Sequence, residues 1–226
     1  MEPGRPMTMN RVIHAAVRRD LDRLEAALDR AGDGDVERAR RLDVAYANLH
    51  RELKHHHQTE DRLIYPFVGK VESVSELLSV MDSEHHAMAD ALEETQSAIA
   101  TYGTTASAAD ALRARDSVAS TRAVVEQHLT HEEEDFEPLV WPYLETSEWK
   151  AVEKQTRQPS AAATGCFFAW LQDGISDEHR RFLRSTVPPP VLYVLSQLGG
   201  RAYRRDVAST WKTLAGDSPE VLKGDG

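Results

Sequence analysis

One chemically loaded pattern occurs twice in this chain. His56-His57-Gln58-Thr59-Glu60 is followed by Pro66, and His128-Leu129-Thr130-His131-Glu132 by Pro138. Each copy is His-x-x-x-Glu with a proline six residues past the glutamate. A lone histidine precedes each copy at nearly the same distance: His14 lies 42 residues before His56, and His85 lies 43 before His128. Residues i and i+4 share a helix face. Four helices carrying His, His-x-x-x-Glu, His and His-x-x-x-Glu can therefore aim four imidazoles and two carboxylates at one point. Neutral imidazole and carboxylate ligands suit iron, manganese or zinc. Two octahedral ions offer about twelve positions, of which two bridging glutamates would fill about four and four histidines about four. A bridging oxo or hydroxo group would take about two, leaving roughly two open, as in a reactive rather than a structural site. The set predicts a pair of iron ions, with zinc or manganese as substitutes, held by His14, His56, Glu60, His85, His128 and Glu132.

The elements that must position these residues are legible in the heptads. Alternating steps of four and three give Asn10, His14, Val17, Leu21, Leu24 and Leu28 in a first segment. The second runs from Leu42 through Tyr46, Leu49, Leu53, His56 and Glu60 to Leu63 and Phe67. The third includes Met81, His85, Met88, Leu92, Ile99 and Tyr102, and the fourth Val118, Val125, His128, Glu132, Asp135 and Leu139. Such a/d seams predict an all-α, up-down four-helix bundle. Six of the few polar seam positions are the residues named above. Burying histidine or glutamate in a core costs several kcal/mol unless something satisfies it, and a metal cluster satisfies all six at once. Gly32-Asp33-Gly34-Asp35 reads as a connection with Asp35 as N-cap. Gly69 is expected to end the second helix and Tyr102-Gly103-Thr104-Thr105 the third. Connections this short make neighbouring helices antiparallel.

The 226 residues carry a net charge of -10, which excludes nucleic acid or an anionic membrane surface as the main partner. The charge is uneven: residues 1–150 hold 17 Lys/Arg against 29 Asp/Glu, and residues 151–226 hold 10 against 8. That shift suggests a boundary near 150–160, and the pattern loosens after about 146, which gives a bundle over 8–146 and a helical C-terminal extension over 147–226, packed on it or serving a partner. Within the extension, Phe167 to Leu171, Ser176 to Arg184, Val191 to Leu198 and Arg201 to Leu214 read as helices, broken at Pro188-Pro189-Pro190 and Gly199-Gly200. Its arginines, including Arg180, Arg181, Arg204 and Arg205, are expected to pair with the acidic bundle. The single cysteine, Cys166, allows no internal disulfide. No secretory signal or apolar run of transmembrane length occurs, so a soluble, cytoplasmic protein is expected.

Residues 8–145 resemble the hemerythrin-like cation-binding, or HHE, domain. The resemblance is carried by His14, the run His56-His57-Gln58-Thr59-Glu60-Asp61 with Tyr65-Pro66, Glu84-His85-His86, and His128-Leu129-Thr130-His131-Glu132-Glu133. It implies a bundle around a non-haem di-iron centre, with the same six residues as ligands. Oxygen-carrying members have a further histidine four residues after the third-helix ligand; this chain has Ala89 there. The departure argues against their mode of oxygen carriage. It leaves either an open site or one filled by another residue: His57, which reaches the metal in some relatives, or less readily His86, Glu84 or Tyr65.

Ligand chemistry narrows the function further. Ferritin-like di-iron bundles use four glutamates and two Glu-x-x-His motifs. A histidine-rich, carboxylate-poor set stabilises high-valent iron less well, and points to binding or reducing O2, hydrogen peroxide or nitric oxide. An iron or oxygen sensor read out by the extension, and a structural bundle with one zinc, are the competing readings. The off-seam histidines His50, His55, His57, His86, His131 and His179 are expected to be solvated or to support ligands rather than bind metal, with His57 and His131 nearest to the cluster. The run Glu132-Glu133-Glu134-Asp135 reads as a solvated face except for Glu132.

Overall fold

A computed structural model describes residues 6–156, 158 and 160–216. Helix α1 spans Met9–Asp29 and α2 spans Val36–Thr59, continuing through a π-helical turn at Glu60–Ile64 into α3, Tyr65–Val71. Helix α4 spans Ser75–Thr105. Helix α5, Ala108–His131, continues through a second π-helical turn at Glu132–Phe136 into α6, Glu137–Val140. Among the described residues there are no strands, and no helix is long and apolar enough to cross a membrane.

Side-chain caps start these helices where the sequence supplies them. Thr8, Asp35 and Ser107 accept from the backbone N–H of Arg11, Arg38 and Asp110, each satisfying a donor that the first turn leaves open. One ending lies two residues past the expected one, and the other falls at the end of the expected run. The second helix runs past Gly69 to Val71, because Gly69 keeps helical geometry. The third runs through Gly103 and stops at Ala106, which takes the left-handed conformation at φ 49° and donates its N–H to the Tyr102 carbonyl.

The long helices close a ring of neighbours: α1 packs on α2 and α5, and α4 packs on α2 and α5. Adjacent members are antiparallel. His14 meets His56 while Arg38 reaches the Ala27 carbonyl, and His85 meets His128 while Thr95 bonds Thr121.

The core is in two parts. The larger cluster includes Leu24, Leu28, Leu49, Leu53, Met88, Ile99, Val118 and Leu129. The smaller holds Tyr65, Val68, Met81, Phe136, Val140 and Trp149, the last from α7, Ser147–Gln155. In α2 and α4 the histidines and glutamates singled out by the seams lie between the two clusters, and Glu132 lies between Leu129 of the larger and Phe136 of the smaller.

The rest of the chain forms α8 (Ala161–Gln172), α9 (Asp177–Thr186), α10 (Pro189–Val194) with a π turn at Leu195–Gly199, α11 (Arg201–Tyr203) with a π turn at Arg204–Ala208, and α12 (Ser209–Gly216). Trp170, Leu183, Tyr203, Val207 and Trp211 belong to the larger cluster, so this segment shares the bundle's apolar core. Gly165 crosses the Leu195–Gly199 turn so closely that a Cβ there would lie 2.3 Å from the Gly199 Cα. The polar seam runs opposite to expectation. Arg180, Arg181, Arg204 and Arg205 bond within the extension. It is α1 that sends cations outward: Arg23 pairs with Asp173 at 3.1 Å, and Arg19 donates to the Trp170 and Asp173 carbonyls. In return the Trp170 indole donates to buried Asp20 at 2.7 Å.

Candidate metal centre

The π turns decide what faces the site. Proline lacks an N–H and clashes with the carbonyl four residues back. One extra residue in the turn before it relieves both problems: the Tyr65 N–H bonds the Glu60 carbonyl and the Glu137 N–H bonds the Glu132 carbonyl, each spanning five residues. The Glu-x5-Pro spacing is the sequence counterpart of this turn. The extra residue also moves the seam on by one. Where the heptads predict Phe67, Val68 is buried; where they predict Asp135 and Leu139, Phe136 and Val140 are buried and Asp135 is exposed. Leu63 likewise lies off the buried stripe, and Tyr65 is on it.

The structure brings His14, His56, Glu60, His85, His128 and Glu132 together, all buried. Their inward atoms fall into two sets. In one, His14 Nε2 lies 3.2 Å from both His56 Nε2 and Glu132 Oε2. In the other, His85 Nε2 and His128 Nε2 are 3.2 Å apart. The glutamates reach across: Glu60 places Oε1 3.1 Å from His56 Nε2 and Oε2 3.7 Å from His85 Nε2. Glu132 Oε2, beside His14, is also 4.0 Å from His128 Nε2.

His57 joins the second set. It is buried, its ring stacks on His85 at 4.4 Å, and it stands edge-on to His128 at 5.4 Å. Donor atoms of His57, Glu60, His85 and His128 lie within 4.8 Å of one another, as do those of His14, His56 and Glu132, and each set could hold a cation. The expectation of a supporting or solvated His57 gives way to a donor set beside Ala89. Of the other candidates, His86 and His131 stay outside, whereas Tyr65 reaches an inward nitrogen. His86 is 78% exposed and bonds the Asp82 carbonyl. His131 bonds Glu84 at 3.1 Å, and the Tyr65 hydroxyl sits 3.2 Å from His85 Nε2.

Outer carboxylates hold three of the imidazoles. His14 Nδ1 meets Glu133 at 2.8 Å, His85 Nδ1 meets Asp61 at 2.8 Å, and His128 Nδ1 meets Glu84 at 2.9 Å. Such partners fix the tautomer and leave Nε2 facing the centre as a donor. Glu133 therefore does not belong to a solvated face; it is mostly buried and also takes Arg18 at 2.7 Å. Reasoning by seams missed these roles, yet a signal existed. Each outer carboxylate is the chain neighbour of an inner residue: Asp61 of Glu60, Glu84 of His85, Glu133 of Glu132.

Without an ion the set is electrostatically unbalanced. Burial opposes protonation of His14, but hydrogen bonds to Glu132 and Glu133 raise its pKa to about 9. Burial and the neighbouring His14 push His56 down to about 3. Burial, followed by the other imidazoles, holds His57 well below the usual range. Burial and the charge of Glu132 hold the Glu60 carboxyl well above the usual range. For Glu132, burial is outweighed by the hydrogen bond and charge of His14, which hold it low. Two buried atoms, His57 Nε2 and Glu60 Oε2, have no hydrogen-bond partner. Stranding such groups costs about 1–3 kcal/mol each. Both belong to the second donor set, so a cation there would satisfy them together. The residues fit metal.

A layer of imidazole and carboxylate donors between two apolar clusters of a helical bundle defines a metal-binding bundle protein. The description "Hemerythrin HHE cation binding domain" matches residues 9–157, and the chain belongs to that family. Comparisons with curated proteins and with solved structures gave no match.

Proposed function

We propose that this protein holds two iron ions and binds or reduces a small oxidant: O2, hydrogen peroxide or nitric oxide. His14, His56 and Glu132 would hold the first ion, and His57, His85, His128 and Glu60 the second, with Glu60 and Glu132 each reaching toward both. One observation carries the reading: two buried donor sets lie back to back, with two unpartnered atoms pointing into one of them. Iron supplies the exchangeable electrons and the open coordination that a small oxidant needs. The chain's own part is orientation and enclosure. Glu133, Asp61 and Glu84 aim the imidazoles, while Tyr65, Met81 and Phe136 exclude water from one side.

Elemental analysis of protein purified from its native host should give about two iron per chain. A near-ultraviolet band should change with azide, peroxide or nitric oxide, and His56→Ala or His128→Ala should lose iron. About one zinc and no iron would refute the reading. A sensing role has one observation in its favour: α1 carries both His14 and the anchors Arg19, Asp20 and Arg23 that hold the extension. Hydrogen exchange of α8 that differs between metal-free and iron-loaded protein, with negligible peroxide turnover, would select it.

A further inference from the structure

We infer that the exposed face of α10 and its π turn docks on α4 of a second copy of this chain. Among the described residues, four of the eight exposed large apolar side chains crowd into this one segment: Val191, Tyr193, Val194 and Leu198. A contiguous apolar patch left in water marks a contact surface. Arginines flank it. Arg184 precedes the segment and Arg201 follows it, both exposed, and Arg204 holds the π turn by donating to the Ser196 and Gln197 carbonyls. Among the described residues none of these three meets a carboxylate; the ion pairs of the extension's own arginines are Arg180 with Asp177 and Arg205 with Asp206. In the bundle, by contrast, Arg11, Arg18, Arg41 and Arg122 all hold carboxylates. Helix α4 supplies the opposite surface. Its 31 residues include six carboxylates and no lysine or arginine. Among the described residues its carboxylates form ion pairs with histidines alone: Asp82 with His86, Glu84 with His128 and His131, and Glu93 with His50. Glu76, Val80, Ser83, Ala87, Asp90 and Glu94 are all exposed at alternating steps of four and three, and so form one stripe along the helix. Ser83 and Ala87 keep its middle flat enough for another helix to approach, beside exposed Val80. The carboxylates at its two ends complement the arginines around α10. Both surfaces are exposed in the same chain, so they do not meet within it: the extension packs on α1 and α2, and α4 packs on α2 and α5. Contact between copies covers the apolar side chains and gives the unpaired guanidiniums their carboxylates in one step.

Sedimentation velocity of the full-length protein tests this. At about 0.01 M salt the mass should rise above the 25.3 kDa of one chain as concentration increases, and at about 1 M, where the screening length falls from about 30 Å to about 3 Å, it should return to that value. Leu198→Asp sets a carboxylate against the acidic stripe, and Ala87→Arg sets a guanidinium against the arginines. Each variant alone should associate at least about tenfold more weakly than wild type, since like charges face each other across the contact, with helicity unchanged. Mixed together, the two should pair one to one, because each keeps the surface that the other has lost. Tyr193→Asp and Ser83→Arg repeat the comparison at neighbouring exposed positions, so that misfolding of one variant leaves the test intact. Wild-type protein that stays monomeric at low salt, α4 variants that associate like wild type, or a mixture that fails to pair would overturn the inference.

Discussion

Removing the Glu84 carboxylate tests whether the outer carboxylates work through the metal. Glu84 accepts from His128 Nδ1 at 2.9 Å and His131 Nδ1 at 3.1 Å, and its side chain is 15% exposed, so water replaces it poorly. Losing such a partner costs about 10–100-fold in metal affinity. Glu84→Ala belongs near the upper end, about 2.7 kcal/mol. Glu133 is similarly enclosed at 18% but shares its charge with Arg18, which makes it a weaker acceptor for His14; about 30-fold is expected. Asp61 is 45% exposed, so water can substitute on His85, and about tenfold is expected. The assay is competition between metal-loaded protein and a chromophoric chelator at neutral pH. Glu84→Gln and Glu133→Gln, which keep an acceptor, should recover part of the loss. Glu126→Ala, which removes an Arg18 partner that touches no inner histidine, should change affinity less than twofold. Three alanine variants all within twofold of wild type, or Asp61→Ala the most damaging, would refute the reasoning.

Trp170→Phe leaves one oxygen of buried Asp20 without its donor and should destabilise by about 1–3 kcal/mol in urea unfolding. A change of only a few tenths would show that this bond does not anchor the extension. Asp110 accepts from Thr105, Ser107 and Arg113, and these bonds lower its pKa to about 2. A depressed carboxyl stabilises above its unfolded value near 4. The deficit of Asp110→Asn should therefore be full at neutral pH and shrink as pH falls from about 4 toward 2. A pH-independent deficit in denaturant titrations would contradict this.

The inner six residues were readable because the helix repeat and the metal requirement act on the same positions. His14, His56 and His85 could not sit on a seam without a shared partner. What lay beyond the π turns was not readable by period, since an added residue changes the face without changing composition; only the prolines mark the place. His57 was legible only as one of several substitutes for the Ala89 gap, for a different reason. It is off the seam, and it stacks on His85 across α2 and α4, a relation between helices rather than along one. The outer carboxylates depend in the same way on pairs such as Glu84 with His128, which no local pattern contains.

The paired five-residue turns have a genetic consequence. Deleting one residue between Glu60 and Pro66 would restore an unbroken heptad with Val68 on its seam, yet would return the proline to a regular turn, where it clashes with the carbonyl four residues back. A further residue inserted there would rotate everything downstream by about 100°, taking Tyr65 from His85 and Val68 from its cluster. The bundle is thus two short bundles spliced at the ion layer, each with its own indexing. Substitutions can accumulate on either side of the splice independently, while single-residue insertions and deletions at the splice itself are forbidden.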